Sequence, residues 1–378
     1  MAKAHRCTIM LAAAAGLLLA CGSPKEAPAS RRIGAPPDLV GMLREAAGAP
    51  EAIQFTALEP YERARDLEVL IFSTRSPAFW GVILPGRWLQ LQAPWVQRFP
   101  AAALSGVRED VAAAVREGPE ALAVPITVDG PVLVIREDLW KETGLPPPRS
   151  LAALREGVRR LRATRAGLRW PVVSDLPEDL LFWGLAWSFE GAPNPELYTY
   201  PKLYALKFMD EFDLSPAPER SHAGAQKLLA GSAAALFTTS SRAARLQEEG
   251  ANRGGAALWV GPLPGQAERA TCIYNGWCVA SPRGAADDAA LRAWLLSPAL
   301  QARLAAAGYL PAKGESPAVP AGTAAWAMGM TRLCAPPALD DRAREAVRGA
   351  ILDATEGPMT PEEALRRAQA RLQSEVHP

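Results

Sequence analysis

From about residue 33 onward one pattern repeats: a short apolar run, then a stretch whose apolar residues recur every three or four positions. The runs AIQFTAL (52–58), LEVLIF (67–72), ALAVPITV (121–128), PVLVIRE (131–137), LWVGPLP (258–264) and WCVASP (277–282) read as strands. Between them, LVGMLREAAG (39–48) reads as a helix with a glycine stop. Ser150 caps a helix whose apolar stripe is Leu151, Leu154, Val158 and Leu161. The segments DDAALRAWLLS and PALQARLAAAG are helical, and Thr360 with Glu363 opens the last helix with a capping box. Strands that alternate with helices pack as mainly parallel sheets flanked by helices. At 378 residues the chain exceeds one typical core, so two α/β lobes are expected.

Composition removes several function classes. Basic and acidic residues number 41 and 40, a net charge of +1, which lacks the basic footprint of nucleic-acid binding. Three histidines (His5, His222 and His377) and no C-x-x-C spacing supply neither a metal site nor a cofactor site. No G-x-S-x-G or H-E-x-x-H motif is present, so the chain is expected not to be an enzyme.

The N-terminus carries Lys3 and Arg6, then an apolar run from Thr8 to Ala20 that falls short of the roughly 20 residues a spanning helix needs. It reads as an export signal over 1–20. Leu18-Leu19-Ala20-Cys21 resembles a bacterial lipobox, with Cys21 acylated, and 21–32 follows as a flexible tether. These readings place the protein at the extracytoplasmic face of a bacterial cell envelope, held to the membrane by its lipid.

Export would permit disulfides among Cys272, Cys278 and Cys334. In TCIYNGWCVAS (271–281) a two-residue turn at Asn275-Gly276 would put Cys272 and Cys278 on opposite faces. A three-residue loop, Tyr274-Asn275-Gly276, would pair them. The expectation is a Cys272–Cys278 staple, with Cys334 as the competing partner.

Four segments in order resemble the extracellular solute-binding proteins of ABC importers, of the maltose-binding, family-1 type. They are AVPITVDGPVLVIREDLWKETGLPPPRSLAALREGVRRLRA (123–163), GSAAALFTTSS (231–241), LWVGPLPG (258–265), and the run from NGWCVASP to GYLPAK (275–313). The likeness covers roughly 120–378. In the N-terminal third, RRIGAPPDLV is short, polar and proline-broken where the family has a clear first strand, so the first lobe reads as trimmed. The resemblance implies a two-lobed periplasmic-binding-protein fold, type II-like, hinged between lobes. The first lobe would take 33–125 and about 272–310; the second would take 126–271 and about 311–378.

The implied function is capture of a small, sugar-like solute in the interlobe cleft by a monomer, for ABC permease subunits. A non-transporting binding or scaffold lipoprotein on the same fold is the alternative. Thr74, Arg75 and Ser76 follow the LEVLIF run, at the strand end where α/β folds bind ligands, with Trp80 just beyond. Asp129 reads either as a cleft carboxylate, by resemblance, or as a turn residue beside Gly130. Ser240 and Ser241, after AAALF, read as cleft hydroxyls or as a helix cap. Trp183 lies four residues before Trp187 on one helix face, a spacing that core packing also uses, so core is favoured over ligand contact. Tyr274, Asn275 and Trp277 complete the ligand-binding set.

Overall fold

A computed structural model describes residues 31–46, 53–58, 71–72, 79–165, 168, 170–194, 196–214, 223–252, 257–265, 270–285, 288–314, 321–337 and 341–374. Two sheets organise these residues. The first runs Ile53–Ala57, Arg31–Ala35, Gly81–Pro85, Trp277–Ala280, Val124–Pro125. Its first three strands are parallel, and Trp277–Ala280 runs antiparallel to both neighbours. The second runs Val172–Ser174, Ala235–Thr239, Pro131–Arg136, Leu258–Pro262. Its first pair is parallel, and Pro131–Arg136 is antiparallel to both neighbours. Pro131–Arg136 follows directly from the first sheet's Val124–Pro125 strand by way of Thr127–Val128, whereas Trp277–Ala280 follows the separate Ala270–Ile273 strand.

Two strand readings change. Arg31–Ala35, expected to be proline-broken, is a strand paired with Ile53–Ala57 over all five positions. Pro36 and Pro37 do not interrupt it. They begin the Pro37–Arg44 helix, where a missing N–H costs nothing, and that helix buries Leu39, Val40 and Leu43. In LEVLIF, Ile71 and Phe72 are helical and buried. The strand beside Arg31–Ala35 is instead Gly81–Pro85, buried at every position. An apolar run alone does not separate a buried helix from a buried strand.

The remaining elements follow their sequence signals. Ser150 Oγ accepts from the Ala153 N–H at 3.1 Å, capping Leu151–Thr164. Thr360 and Glu363 exchange bonds at 2.9 and 3.3 Å, the reciprocal capping box opening Pro361–Ser374. The Ala270–Ile273 and Thr331–Cys334 strands pair in parallel apart from both large sheets. No helix among the described residues is long and apolar enough to cross a membrane.

Candidate functional site at the interlobe crossing

Three short segments meet at the crossing, and they bind one another. Thr127–Val128 pairs antiparallel with Leu310–Pro311. The Trp277 N–H donates to Thr127 Oγ1 at 2.8 Å, and the Ile126 N–H donates to the Trp277 carbonyl at 2.9 Å. Tyr274 is fully buried, and its hydroxyl donates to the Thr127 carbonyl at 2.9 Å. Two glycines make room for that ring. A Cβ on Gly86 would lie 2.2 Å from Tyr274 Cδ1, and one on Gly276 would lie 2.2 Å from the Thr127 carbonyl. The Gly86 N–H in turn donates to the Gly276 carbonyl at 2.8 Å.

Asp129 is the second centre of this crossing. Its Oδ1 accepts from Ser240 Oγ at 2.6 Å, from the Gly130 N–H at 2.9 Å and from the Ser241 N–H at 3.1 Å. Its Oδ2 accepts from Ser241 Oγ at 2.7 Å. The carboxylate thus caps the N-terminus of the Ser240–Asn252 helix, where a negative charge is favoured. Burial raises the Asp129 pKa, and the serine and glycine donors oppose that rise. Both oxygens accept from groups of the protein itself: Gly130 beside it, as the turn reading has it, and Ser240 and Ser241 from a helix distant in sequence.

Asn275 lies beside that centre, its N–H donating to the Asp129 carbonyl at 3.0 Å. The residue is 8% exposed, and among the described residues its Oδ1 is buried without a hydrogen-bond partner. A buried amide oxygen left unpaired is costly, which makes Asn275 an unsatisfied polar group of the crossing among the described residues.

Seen from the parallel strands of the first sheet, the crossing sits at their C-terminal ends: Trp277 pairs with Pro85, and Gly86 follows. That is the end at which open α/β sheets bind ligands. Arg87, also buried there, lies 5.3 Å from the Trp88 ring centroid. Its charge reaches Glu178, at the start of the Glu178–Glu190 helix on the other lobe. Burial raises the Glu178 pKa, while Arg348 and Arg87 pull it down.

Solved structures share this architecture. The GacH receptor of Streptomyces glaucescens, solved unliganded and with acarbose, superposes with a TM-score of 0.69 at 14% identity, covering 91% of this chain and 98% of that one. The sugar-binding protein MalE of Xanthomonas citri gives 0.71 at 15% identity, covering 91% and 96%. The chain has the solute-binding-protein fold. A cyclic alpha-maltosyl-1,6-maltose binding protein from Arthrobacter globiformis gives 0.69 at 14% identity over 92% and 99%. No protein-family model matches the chain, and no curated protein matches it in sequence.

Within the solute-binding-protein fold, the residues singled out from sequence fall into three groups. Asp129, Ser240, Ser241, Tyr274, Asn275 and Trp277 come together at the crossing. Trp277 is half-buried, while Tyr274 is sealed inside and supports the crossing. Trp80 and Trp183 lie elsewhere. Trp80 precedes Gly81–Pro85, at the opposite end of that strand from Trp277, and lines a small pocket with Phe99, Val279 and Arg292. Trp183 is core, 5.3 Å from the Phe182 ring and 5.7 Å from the Trp187 ring. Thr74, Arg75, Ser76 and Cys21 lie outside the described residues.

The Cys272–Cys278 staple does not form: Cys272, Cys278 and Cys334 are all free thiols. Ala270–Ile273 and Trp277–Ala280 are not a hairpin. The former pairs with Thr331–Cys334, while the latter enters the first sheet. Cys278 faces the Leu84 carbonyl at 3.3 Å, and Cys272 is sealed in the separate pair. The Asn275-Gly276 link is a crossing between lobes, which neither turn model allowed.

Sequence reasoning passed over Thr127, Arg87 and Gly86. The signal for the last two was GVILPGRW, an apolar run ending in glycine and a basic residue, obscured by assigning the strand to LEVLIF. Among the described residues no group of three or more His, Cys, Asp or Glu could hold a metal ion.

Proposed function

We propose that this protein captures a soluble carbohydrate between its two lobes and delivers it to an ABC-type permease. The observation that carries the reading is the Asn275 amide oxygen, buried and without a partner among the described residues, at the crossing of a fold shared with sugar-binding receptors. A neutral sugar asks for hydrogen-bond partners for its hydroxyls and an aromatic face for its C–H surface. Asn275 and half-buried Trp277 offer one of each from adjacent positions. No cofactor is needed, and binding is the whole task.

The lobes in this reading comprise 33–125 with about 272–310, and 126–271 with about 311–378. Sheet membership supports that division, because Trp277–Ala280 joins the first sheet and Pro131–Arg136 the second. The reading also includes acylation at Cys21, a tether over 21–32, an extracytoplasmic membrane-held location and a monomeric state.

One observation favours the alternative of a non-transporting binding or scaffold protein. Asp129 is fully committed to Ser240 and Ser241, and Trp183 to the core, which leaves the cleft fewer groups for a ligand. A calorimetric panel of mono-, di- and oligosaccharides separates the two. A ligand at about a hundred times its dissociation constant adds about 2.7 kcal/mol of stability. The transport reading expects such a ligand, with its affinity reduced in Asn275→Ala and Trp277→Ala. Silence across the panel supports the scaffold reading.

A further inference from the structure

Among the described residues the most exposed large apolar side chain is Tyr200, at 67%. Its ring is held on two sides, 5.8 Å from Phe189 and 6.2 Å from Tyr204, with the two tyrosine planes only 27° apart. Phe189 and Tyr204 close the triangle at 5.1 Å. Arg155 fixes Tyr204 in turn, donating to its hydroxyl at 2.7 Å with the guanidinium 4.8 Å from the ring centroid. A further bond of 2.6 Å joins Arg155 to Glu211.

The platform is therefore built on rigid elements: Phe189 on the Glu178–Glu190 helix, Tyr200 and Tyr204 one turn apart on Tyr200–Glu211. Fixed tyrosines present contact area at little conformational cost. The Tyr200 hydroxyl makes no hydrogen bond among the described residues, so it remains available to a ligand. Nearby charges are mixed. Glu196, Asp210 and Glu211 are exposed alongside Lys207, and Lys202 turns inward to Glu190. Such a surface has no attraction for anionic lipid. Near-parallel ring faces beside an unused hydroxyl and an arginine–carboxylate pair match a neutral polyhydroxylated chain.

We propose that Phe189, Tyr200 and Tyr204 form a second carbohydrate site, a surface platform for neutral polysaccharide, separate from the cleft. From Glu178, within electrostatic reach of Arg87, to Phe189 the helix rises about 17 Å, so one short sugar does not span both places. The platform holds the protein on a polymer, and it stands independently of the cleft reading.

Co-sedimentation of the whole protein with washed granular starch, microcrystalline cellulose and chitin tests it. The expected result is retention on at least one polymer, falling about five-fold in Tyr200→Ala, the size of one lost ring contact. That variant stays folded and its melting temperature falls by only a few degrees, the size of the lost ring contacts with Phe189 and Tyr204, and any thermal response to soluble saccharides is kept. Tyr200→Phe, which keeps the ring, retains most of the binding. No retention on any of the three polymers would overturn the proposal, as would equal retention of wild type and Tyr200→Ala. Tyr200-dependent flotation with phosphatidylcholine vesicles in place of glycan retention would overturn it too.

Discussion

Ser240 Oγ stands 2.6 Å from Asp129 Oδ1, and Ser241 Oγ stands 2.7 Å from Oδ2 of the same carboxylate. The segment leaving the first lobe is thereby fastened to the first turn of a helix in the second. Replacing Asp129 by alanine leaves two hydroxyls and the Ser241 N–H without their acceptor, at a cost of about 2–3 kcal/mol. Chemical denaturation of the wild type and Asp129→Ala measures this directly. A loss below about 0.5 kcal/mol would contradict the role.

The same carboxylate sets a pH dependence with a defined sign. Burial raises its folded-state pKa above the ordinary 3.8, so the folded protein binds more protons than the unfolded chain across that window. Its stabilising share is fully present below 3.8 and is lost as pH rises through the raised value. Wild type should therefore gain on Asp129→Asn as pH falls from neutrality toward 3.8. Denaturation curves of both proteins across that range check the sign, and a gain on raising the pH would contradict it.

Glycine at 276 is a steric requirement. A Cβ there meets the Thr127 carbonyl at 2.2 Å and Tyr274 Cε2 at 2.6 Å, so Gly276→Ala should cost about 2–3 kcal/mol. Gly41 supplies the control. It lies in the Pro37–Arg44 helix with nothing within 4 Å of its missing Cβ, and Gly41→Ala should stabilise by about 0.5–1 kcal/mol. Urea unfolding of the two variants gives opposite signs if the crossing is packed as described.

Much of this fold was legible because its signals are local. The stripe of Leu151, Leu154, Val158 and Leu161 and the Thr360–Glu363 box each settle within a few residues. The crossing was legible in membership but not in roles. Asp129, Ser240, Ser241 and Asn275 were all named, yet nothing near Asp129 in sequence says that serines 111 and 112 positions away would take up its charge. The cysteines failed for the same reason. Reading TCIYNGWCVAS as a hairpin assumed that neighbours in sequence pair, while each strand there pairs with a distant one, Thr331–Cys334 or Gly81–Pro85.

That pairing predicts the thiol chemistry. Cys272 and Cys278 are buried, and burial pushes the Cys272 pKa well above the usual thiol value. Cys334 is only half-buried, though burial raises its pKa as well. In the native protein a thiol reagent should modify Cys334 first, and all three only after denaturation. Peptide mapping without reduction should return no Cys272–Cys278 bridge, and recovery of that bridge would contradict the strand pairing.

Lys202 is fully buried, its Nζ 3.0 Å from Glu190 Oε1 and 5.5 Å from the Trp183 ring centroid. Removing the amine takes the cation from the partly buried Glu190 carboxylate, which keeps a bond from Thr199, so Lys202→Ala should cost about 2 kcal/mol. Burial lowers the amine's pKa below 10.5, and the folded state then binds fewer protons than the unfolded chain up to that value. Wild type should gain on Lys202→Met as pH rises through that window. Paired melting curves in alkaline buffers check the direction.

The central claim is that a carbohydrate is held between two lobes that move about the crossing at Thr127, Asn275 and Trp277. Small-angle scattering of the protein with and without a saturating saccharide tests this most directly, using the ligand identified by calorimetry. The account predicts a smaller radius of gyration on binding, with both the contraction and the affinity reduced in Asn275→Ala. A saccharide that binds without changing the radius, and with equal affinity in Asn275→Ala, would contradict it.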